Sequence, residues 1–176
     1  VLPKMKLFIE ENGPWNQLLF NKNIIINTLL ENSKMLLTSN ISIIPFTVPH
    51  RNEYSETCGY KILGPNKSIL FIPDIDKWTL WNNNLIKEIM SVDVAFIDGT
   101  FYSSNEIINR NINEIPHPLI IETMSSLKSL SKKEKGKIHF IHFNHTNPLL
   151  EKKSNEYKNV LVKGYNIAKM NDIIHL

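Results

Sequence analysis

The stretch Ile69-Leu70-Phe71-Ile72-Pro73-Asp74 is a short apolar run that ends in a carboxylate. Val94–Asp98 also ends in a carboxylate, Ile138–His142 ends in an imidazole, and a β-prone run that begins at Ile41 leads to His50. Apolar runs of this length are typical of strands that are buried in the sheet of a layered α/β structure. The sequence therefore predicts an α/β fold whose strands deliver polar side chains at their ends.

The elements around these runs follow from turn and helix signals. Gly64-Pro65-Asn66 separates two β-prone runs, Gly59–Leu63 and Ser68–Ile72, and predicts a β-hairpin. Helices are predicted within Leu2–Leu30 on both sides of Gly13-Pro14, at Leu85–Met90 and within Pro118–Leu130. Further strands are predicted at Ile24–Ile26, Met35–Leu37, Ile41–Val48 and, as a final pair, Val160–Ile167 and Asp172–His175.

Composition indicates one globular domain. The chain has 176 residues, 42% of them hydrophobic, and no Pro/Gly/Ser linker divides it, so residues 1–176 are predicted to form a single domain. No apolar run is long enough to span a bilayer, and no membrane association is predicted. The lone cysteine, Cys58, excludes an internal disulfide and fits a reducing compartment, which favours a cytoplasmic location.

The charge distribution does not predict a nucleic-acid partner. The formal net charge is +3, and the basic residues are scattered apart from Lys132–Lys137 and Lys152-Lys153. Domains that bind nucleic acid usually cluster their basic residues on one face. A small-molecule substrate is the expected partner, and formation of a homo-oligomer is left open.

Four predicted strands end in metal-binding residue types, namely His50, Asp74, Asp98 and His142. Ligand crevices of layered α/β sheets lie beyond the carboxyl ends of strands. Histidine and aspartate bind zinc and similar divalent ions. An aspartate after a strand is also a common turn former or helix cap, and for any one of these residues that explanation stays open. Four such endings together favour a metal or acid–base site.

Several segments, in order and spacing along nearly the whole chain, resemble the PqqB-like branch of the metallo-β-lactamase superfamily. They are Asn12–Trp15, Phe46–Tyr60, Phe71–Trp78, Ile97–Tyr102, Ile115–Pro118 with Glu122–Met124, Phe140–Leu150 and Gly164–Ala168. The tRNase Z enzymes are more distant relatives with a similar order of motifs. The resemblance implies an αββα sandwich and a hydrolase that activates water with a pair of divalent metal ions. It also suggests a link to pyrroloquinoline quinone biosynthesis. Zinc is the first choice of metal, with iron or manganese as alternatives.

The resemblance also implies roles for the metal-binding residues. His50 is similar to the third-motif histidine that binds one metal, and Asp74 to the carboxylate that bridges the pair. His142 is similar to the last-motif histidine that binds the second metal. His145, three residues later, is the second choice for that position.

Two further residues, Asp98 and His117, resemble the acid pair of tRNase Z, in which a carboxylate orients a histidine near the leaving group. A carboxylate bonded to one ring nitrogen fixes the tautomer of the imidazole and raises its basicity. An ordinary surface-loop histidine is the alternative for His117. Arg110 is a candidate contact for an anionic substrate.

The superfamily's central His-x-His-x-Asp-His motif does not occur in the 176 residues. We expect that segment to lie upstream of Val1, which would leave the sandwich incomplete at its N-terminal side and the chain inactive alone. The alternatives are a metal-free remnant that serves as a binding module, or a phosphodiesterase related to tRNase Z. Because a catalytic zinc usually needs about three protein ligands, His50, Asp74 and His142 by themselves predict weak metal binding.

Overall fold

The computed structural model describes residues 2–53, 55–106 and 114–176. Its centre is a seven-stranded sheet in which the spatial order of the strands follows the chain. The strands are β1 Met35–Leu36, β2 Ser42–Val48, β3 Thr57–Leu63, β4 Ser68–Ile72, β5 Val94–Asp98, β6 Ile138–Ile141 and β7 Asn166–Ile167. The helices are α1 Leu2–Glu11, α2 Trp15–Phe20, α3 Leu85–Met90, α4 Ile120–Ser126, α5 Lys132–Lys135 and α6 Asn155–Val162, with 3₁₀ turns at Trp78–Leu80, Ser104–Glu106 and Pro148–Leu150.

The sheet changes from antiparallel to parallel at β4. Strands β1 to β4 pair antiparallel, and the β3–β4 hairpin closes through a bond from the backbone N–H of Gly64 to the carbonyl of Lys67 at 2.9 Å. Strands β4 to β7 pair parallel. Parallel neighbours need a crossover connection, and helices α3, α4 with α5, and α6 lie in these three connections.

One face of the sheet forms the hydrophobic core. Register places Ile72, Ile97 and Phe140 side by side on β4, β5 and β6, and all three side chains are fully buried. The core also includes apolar residues from three crossover helices: Leu85 and Ile89 of α3, Ile120 and Met124 of α4, and Tyr157 and Val160 of α6. This packing fixes the strands whose carboxyl ends form the site described below.

The opposite face of the sheet is less well covered. A row across the strands contains Tyr60, Phe71, Phe96 and His139, and each of these side chains is only half-buried. The rings of Phe96 and His139 lie 5.2 Å apart between centroids. His139 therefore belongs to the face that lies away from the hydrophobic core.

Most predicted elements are confirmed, and two predictions are wrong. Residues 24–26 form no strand, and the final strand pair is replaced by helix α6, the two-residue strand β7 and an irregular C-terminus. Ser154 caps the start of helix α6, because its side chain accepts a bond from the backbone N–H of Tyr157 at 3.0 Å. Gly164 then ends this region with a φ of +88°, a conformation that glycine adopts at little cost.

Within residues 2–53, 55–106 and 114–176, no helix combines the length and apolar character that crossing a membrane requires. Arg110, the candidate contact for an anionic substrate, lies outside the described residues.

Candidate metal centre

The sheet topology brings four candidate residues to one edge. Strand β2 runs parallel to β4 because both pair antiparallel with β3, so β2, β4, β5 and β6 share the same direction. His50 and Asp74 lie two residues beyond β2 and β4, Asp98 is the last residue of β5, and His142 directly follows β6. The ends of four parallel-running strands thus place these side chains along one edge of the sheet.

Five residues meet there. Asp74, Asp98, His117 and His142 each offer one potential ligand atom, and these atoms all lie within 4.8 Å of one another. Nε2 of His50 lies 3.3 Å from Oδ2 of Asp74. We call these five residues the metal group. Its composition, two carboxylates beside three imidazoles, is a donor set that suits zinc and similar divalent ions.

Asp98 is the most buried member of the metal group. Its side chain is fully buried, and its two oxygens accept four hydrogen bonds. Oδ1 accepts from the backbone N–H and the hydroxyl of Thr100 at 2.8 and 2.7 Å. Oδ2 accepts from the backbone N–H of Ile75 at 3.1 Å and lies 2.9 Å from Nδ1 of His117. Full use of its acceptor sites explains how a carboxylate is tolerated inside the fold.

His117 lies against both carboxylates of the metal group. Its Nδ1 is 2.9 Å from Oδ2 of Asp98 and 3.4 Å from Oδ1 of Asp74. Burial by itself lowers the pKa of His117, but the hydrogen bond and charge of Asp98, with the charges of Asp74 and Asp76, outweigh burial and raise this pKa above its ordinary value. The arrangement expected for the acid pair, a carboxylate bonded to one ring nitrogen, is therefore present.

Thr100 is a member of the site that sequence reasoning missed. It is buried, and its hydroxyl oxygen lies 2.9 Å from Nδ1 of His142 and 3.2 Å from Nδ1 of His117. A threonine is neither titratable nor a usual zinc ligand, so a search for such residue types passes over it. The available signal was its position, two residues after Asp98 at the end of a buried strand.

The ends of β5 and β6 are locked together by backbone contacts. The N–H of Gly99 donates to the carbonyl of Ile141 at 2.9 Å, and the N–H of Asn144 donates to the carbonyl of Thr100 at 3.0 Å. The buried side-chain amide of Asn147 donates to the carbonyls of Gly99 and Thr100 at 2.8 and 3.1 Å. These bonds hold Thr100 and the residue that follows β6 at a fixed separation.

His142 has an unusual backbone conformation. Its φ is +63°, in the left-handed region that residues with a side chain rarely occupy. Such a conformation costs on the order of 1–3 kcal/mol and persists only where its surroundings impose it, often at functional sites. His142, which the resemblance assigns as a ligand of the second metal, therefore has both a strained backbone and a side-chain contact with the Thr100 hydroxyl.

Two orphaned polar atoms test whether a cation fits this group. Nδ1 of His50 and Oδ1 of Asp74 are buried and have no hydrogen-bond partner. Nδ1 of His117 lies 3.4 Å from this Asp74 oxygen, a distance that meets the ion-pair criterion without hydrogen-bond geometry. Unsatisfied buried polar atoms are costly, and a bound cation next to Asp74 would satisfy one of them. The residues present therefore fit a divalent metal.

Not every predicted residue joins the metal group. His50, Asp74, Asp98, His117 and His142 come together, whereas His145 lies outside the cluster of four residues that could hold a metal ion. The geometry favours His142 over His145 as the residue at this end of β6. The assignment of individual residues as metal ligands or as the acid pair stays a prediction.

Comparison with known proteins agrees with this fold. The chain matches the family model described as "Beta-lactamase superfamily domain" over residues 9–142. It is 27% identical over 119 residues to the coenzyme PQQ synthesis protein B of Gluconobacter oxydans, and this alignment covers 65% of this chain and 38% of that protein. It is 22% identical over 152 residues to the protein of the same name from Xanthomonas campestris pv. campestris, and this alignment covers 76% of this chain and 50% of that protein.

A solved structure confirms the predicted fold. The crystal structure of Zn²⁺-bound PqqB from Methylobacterium extorquens superimposes with a TM-score of 0.65 at 22% sequence identity, over 81% of this chain and 52% of that chain. The chain thus spans 38% to 52% of the length of these relatives. Since the family model covers most of its residues, the chain belongs to the β-lactamase superfamily domain family.

Proposed function

We propose that this chain contributes the metal group to a metal-dependent hydrolase site that holds zinc and acts on a small-molecule substrate. The observation on which the proposal depends is the metal group itself: five polar side chains from separate parts of the chain converge, and two of their buried atoms have no hydrogen-bond partner. Surface histidines and aspartates that serve only solubility would not converge in this way.

The residues divide into those that would hold metal and those that would manage protons. His50, Asp74 and His142 would hold the metal, and Asp74 is placed between His50 and His117 in a position that suits a shared ligand. A bound divalent ion lowers the pKa of a bound water and polarises the bond to be broken. The Zn²⁺-bound state of the PqqB relative supports zinc as the first metal to test.

Asp98 and His117 are suited to proton transfer. Asp98 accepts from Nδ1 of His117, so Nε2 of the same ring is the nitrogen left to exchange a proton with substrate. The raised pKa of His117 favours its protonated form, which would protonate a leaving group. His117 acts only if its Nε2 reaches the substrate, and Asp98 acts by orienting that ring.

A cleft beside the metal group offers space for a substrate. Its lining includes Val48 and Pro49, which directly precede His50 in the chain, together with Glu31, Asn52, Trp81, Asn82 and Asn83. Amide side chains both donate and accept hydrogen bonds. These three asparagines therefore suit a polar part of a substrate that donates and accepts hydrogen bonds. The relatives' role in coenzyme PQQ synthesis supports a link to quinone-cofactor chemistry.

Zinc binding tests the proposal directly. The metal-free chain is titrated with zinc in competition with a chromogenic chelator, and Asp74→Ala is compared with Asp172→Ala, which removes an exposed aspartate far along the chain. We expect Asp74→Ala to lower the zinc affinity by at least about tenfold and Asp172→Ala to leave it unchanged. Zinc affinity that is the same in all three proteins would rule out this metal centre and favour the metal-free binding module.

A further inference from the structure

Thr100 holds its hydroxyl among three polar side chains of the metal group. Its Oγ1 lies 2.7 Å from Oδ1 of Asp98, 2.9 Å from Nδ1 of His142 and 3.2 Å from Nδ1 of His117. A hydroxyl has one proton to donate and two lone pairs with which to accept. Once one neighbour receives this proton, the hydroxyl oxygen can only accept hydrogen bonds from the remaining neighbours.

The proton of the hydroxyl goes to Asp98. Oδ1 of Asp98 also faces the backbone N–H of Thr100 at 2.8 Å, and a backbone N–H can only donate. Oδ1 is thus an acceptor, and two oxygens 2.7 Å apart need a proton between them. Since the carboxylate oxygen accepts, the Thr100 hydroxyl must be the donor.

With its proton committed to Asp98, the Thr100 oxygen can only accept a bond from His142. We propose that Thr100 is a positioning residue that holds His142 in the tautomer with a proton on Nδ1 and the lone pair on Nε2. The ring of His142 then donates from Nδ1 at 2.9 Å. As a metal ligand it would bind through Nε2, and this last step rests on the proposed function.

The arrangement does not require a bound metal, because the protein backbone maintains it. The carbonyl of Thr100 accepts from the backbone of Asn144 and from the side chain of Asn147, and the neighbouring Gly99 is bonded to Ile141, the residue before His142. Thr100 and His142 are therefore held together from both strand ends. The tautomer of His142 should already be selected in the metal-free chain.

Long-range ¹H–¹⁵N correlation spectra of the histidine rings test this inference on the metal-free chain at a pH where His142 is neutral. Thr100→Val removes the hydroxyl with little change of shape, and Thr100→Ser retains it. Thr123→Val is the matched control, because it removes another fully buried threonine hydroxyl that bonds to Trp78 and Leu119, outside the metal group. His142→Gln identifies the His142 signals by their loss.

We expect His142 to carry its proton on Nδ1 in the wild type, in Thr100→Ser and in Thr123→Val, and to shift toward the Nε2-protonated form in Thr100→Val. A wild-type ring protonated on Nε2 overturns the inference without reference to any variant, so the test holds even if Thr100→Val fails to fold. An unchanged tautomer in a folded Thr100→Val protein also overturns it.

Zinc affinity, measured by chelator competition, separates this inference from the proposed function. Loss of a group that orients a metal-binding histidine typically lowers affinity about 10- to 100-fold, and we expect a loss of that size for Thr100→Val and near wild-type affinity for Thr100→Ser. If the wild type binds no zinc, the proposed function fails and the tautomer result still decides the role of Thr100. If the wild type binds zinc and Thr100→Val binds it equally tightly, the Thr100 inference fails and the proposed function stands.

Discussion

At the scale of single residues, Asp98 combines full burial with complete hydrogen bonding. Replacing it by asparagine places an NH₂ group against two of the four donors that now face its oxygens. A buried donor without an acceptor costs about 1–3 kcal/mol, so we expect Asp98→Asn to lower the free energy of unfolding by about 3 kcal/mol in urea titrations of the metal-free chain.

The exposed Asp93 provides the comparison. Its Oδ2 accepts from the backbone N–H and the hydroxyl of Ser68, both at 2.8 Å, but solvent can replace these bonds. Asp93→Asn should therefore cost clearly less than Asp98→Asn. Equal losses at the two positions would show that burial of Asp98 does not govern its contribution to stability.

His139 gives the fold a pH dependence that is separate from the metal group. Burial beside Phe96 lowers the pKa of His139, and the charge of Asp172 offsets this only in part. The unfolded chain, with a pKa near 6.5, then binds more protons than the folded chain as the pH falls. The His139 contribution to stability is complete above pH 6.5 and decreases as the pH falls toward the lowered pKa of the folded state.

We expect the unfolding free energy at pH 7.5 minus that at pH 5.5 to be smaller in His139→Gln than in the wild type, because the variant lacks the stability that His139 contributes only at the higher pH. Urea titrations at the two pH values measure this difference. His175→Gln, at an exposed position near the C-terminus, should leave the difference unchanged. A wild-type-like pH dependence in His139→Gln would show that His139 keeps its ordinary protonation when the chain folds.

At this scale, sequence reasoning identified charged and imidazole side chains that converge in the structure, and their roles stay predictions. His50, Asp74, Asp98 and His142 were found because each follows a β-prone run, and the parallel pairing of β4, β5 and β6 brings the ends of the last three together. Thr100 was not found because its importance comes from three distances that depend on the folded chain. A hydroxyl has no sequence signature that separates a buried hydrogen-bond centre from an ordinary turn residue.

At the scale of elements, the close approach of β5 and β6 depends on Gly99. A Cβ atom at this position would lie 3.0 Å from the carbonyl oxygen of Ile141, from Cβ of Phe140 and from Cε1 of Phe143. Overpacking of this kind typically costs about 1–3 kcal/mol. We expect Gly99→Ala to lower the unfolding free energy by this amount in urea titrations, and to weaken zinc binding because Thr100 and His142 would separate.

Gly136 is the matched position for this test. It ends α5 with a φ of −65°, and an added Cβ would meet only the carbonyls of Lys132 and Lys133 at 3.4 Å. Gly136→Ala should therefore leave both stability and zinc affinity nearly unchanged. A Gly99→Ala protein as stable as Gly136→Ala would mean that the two strand ends can separate without loss.

The elements that the sequence predicts correctly are those whose signals agree with one another. The β3–β4 hairpin has turn residues between two β-prone runs, and α3 has Asn84, which accepts from the backbone N–H of Lys87, at its start. Near the C-terminus the signals conflict, because Val160-Leu161-Val162 favours a strand while Ser154 favours a helix start. The helix forms because Tyr157 and Val160, three residues apart, both reach the core.

At the scale of the whole molecule, the resemblance predicts the fold family correctly, and the arrangement of the sheet shows why the site lies where it does. Composition and periodicity alone predicted an α/β fold with buried strands. They could not predict that β2, separated from β4 by an antiparallel strand, would deliver His50 to the same edge. That outcome depends on the register of β2 with β3, where Val48 pairs with Thr57, and not on any local pattern around His50.

Because the metal group draws residues from the ends of β2, β4, β5 and β6, a metal bound there would connect segments that are distant along the chain. A ligand that binds only the folded state stabilises it by about 2.7 kcal/mol at a concentration one hundred times its Kd. We therefore expect the thermal unfolding midpoint of the chain to rise with added zinc and to return to its starting value with excess chelator. Asp74→Ala should remove this rise, whereas Asp172→Ala should keep it. A zinc-dependent rise of equal size in Asp74→Ala would place the bound zinc elsewhere in the molecule and refute the assignment of the metal group.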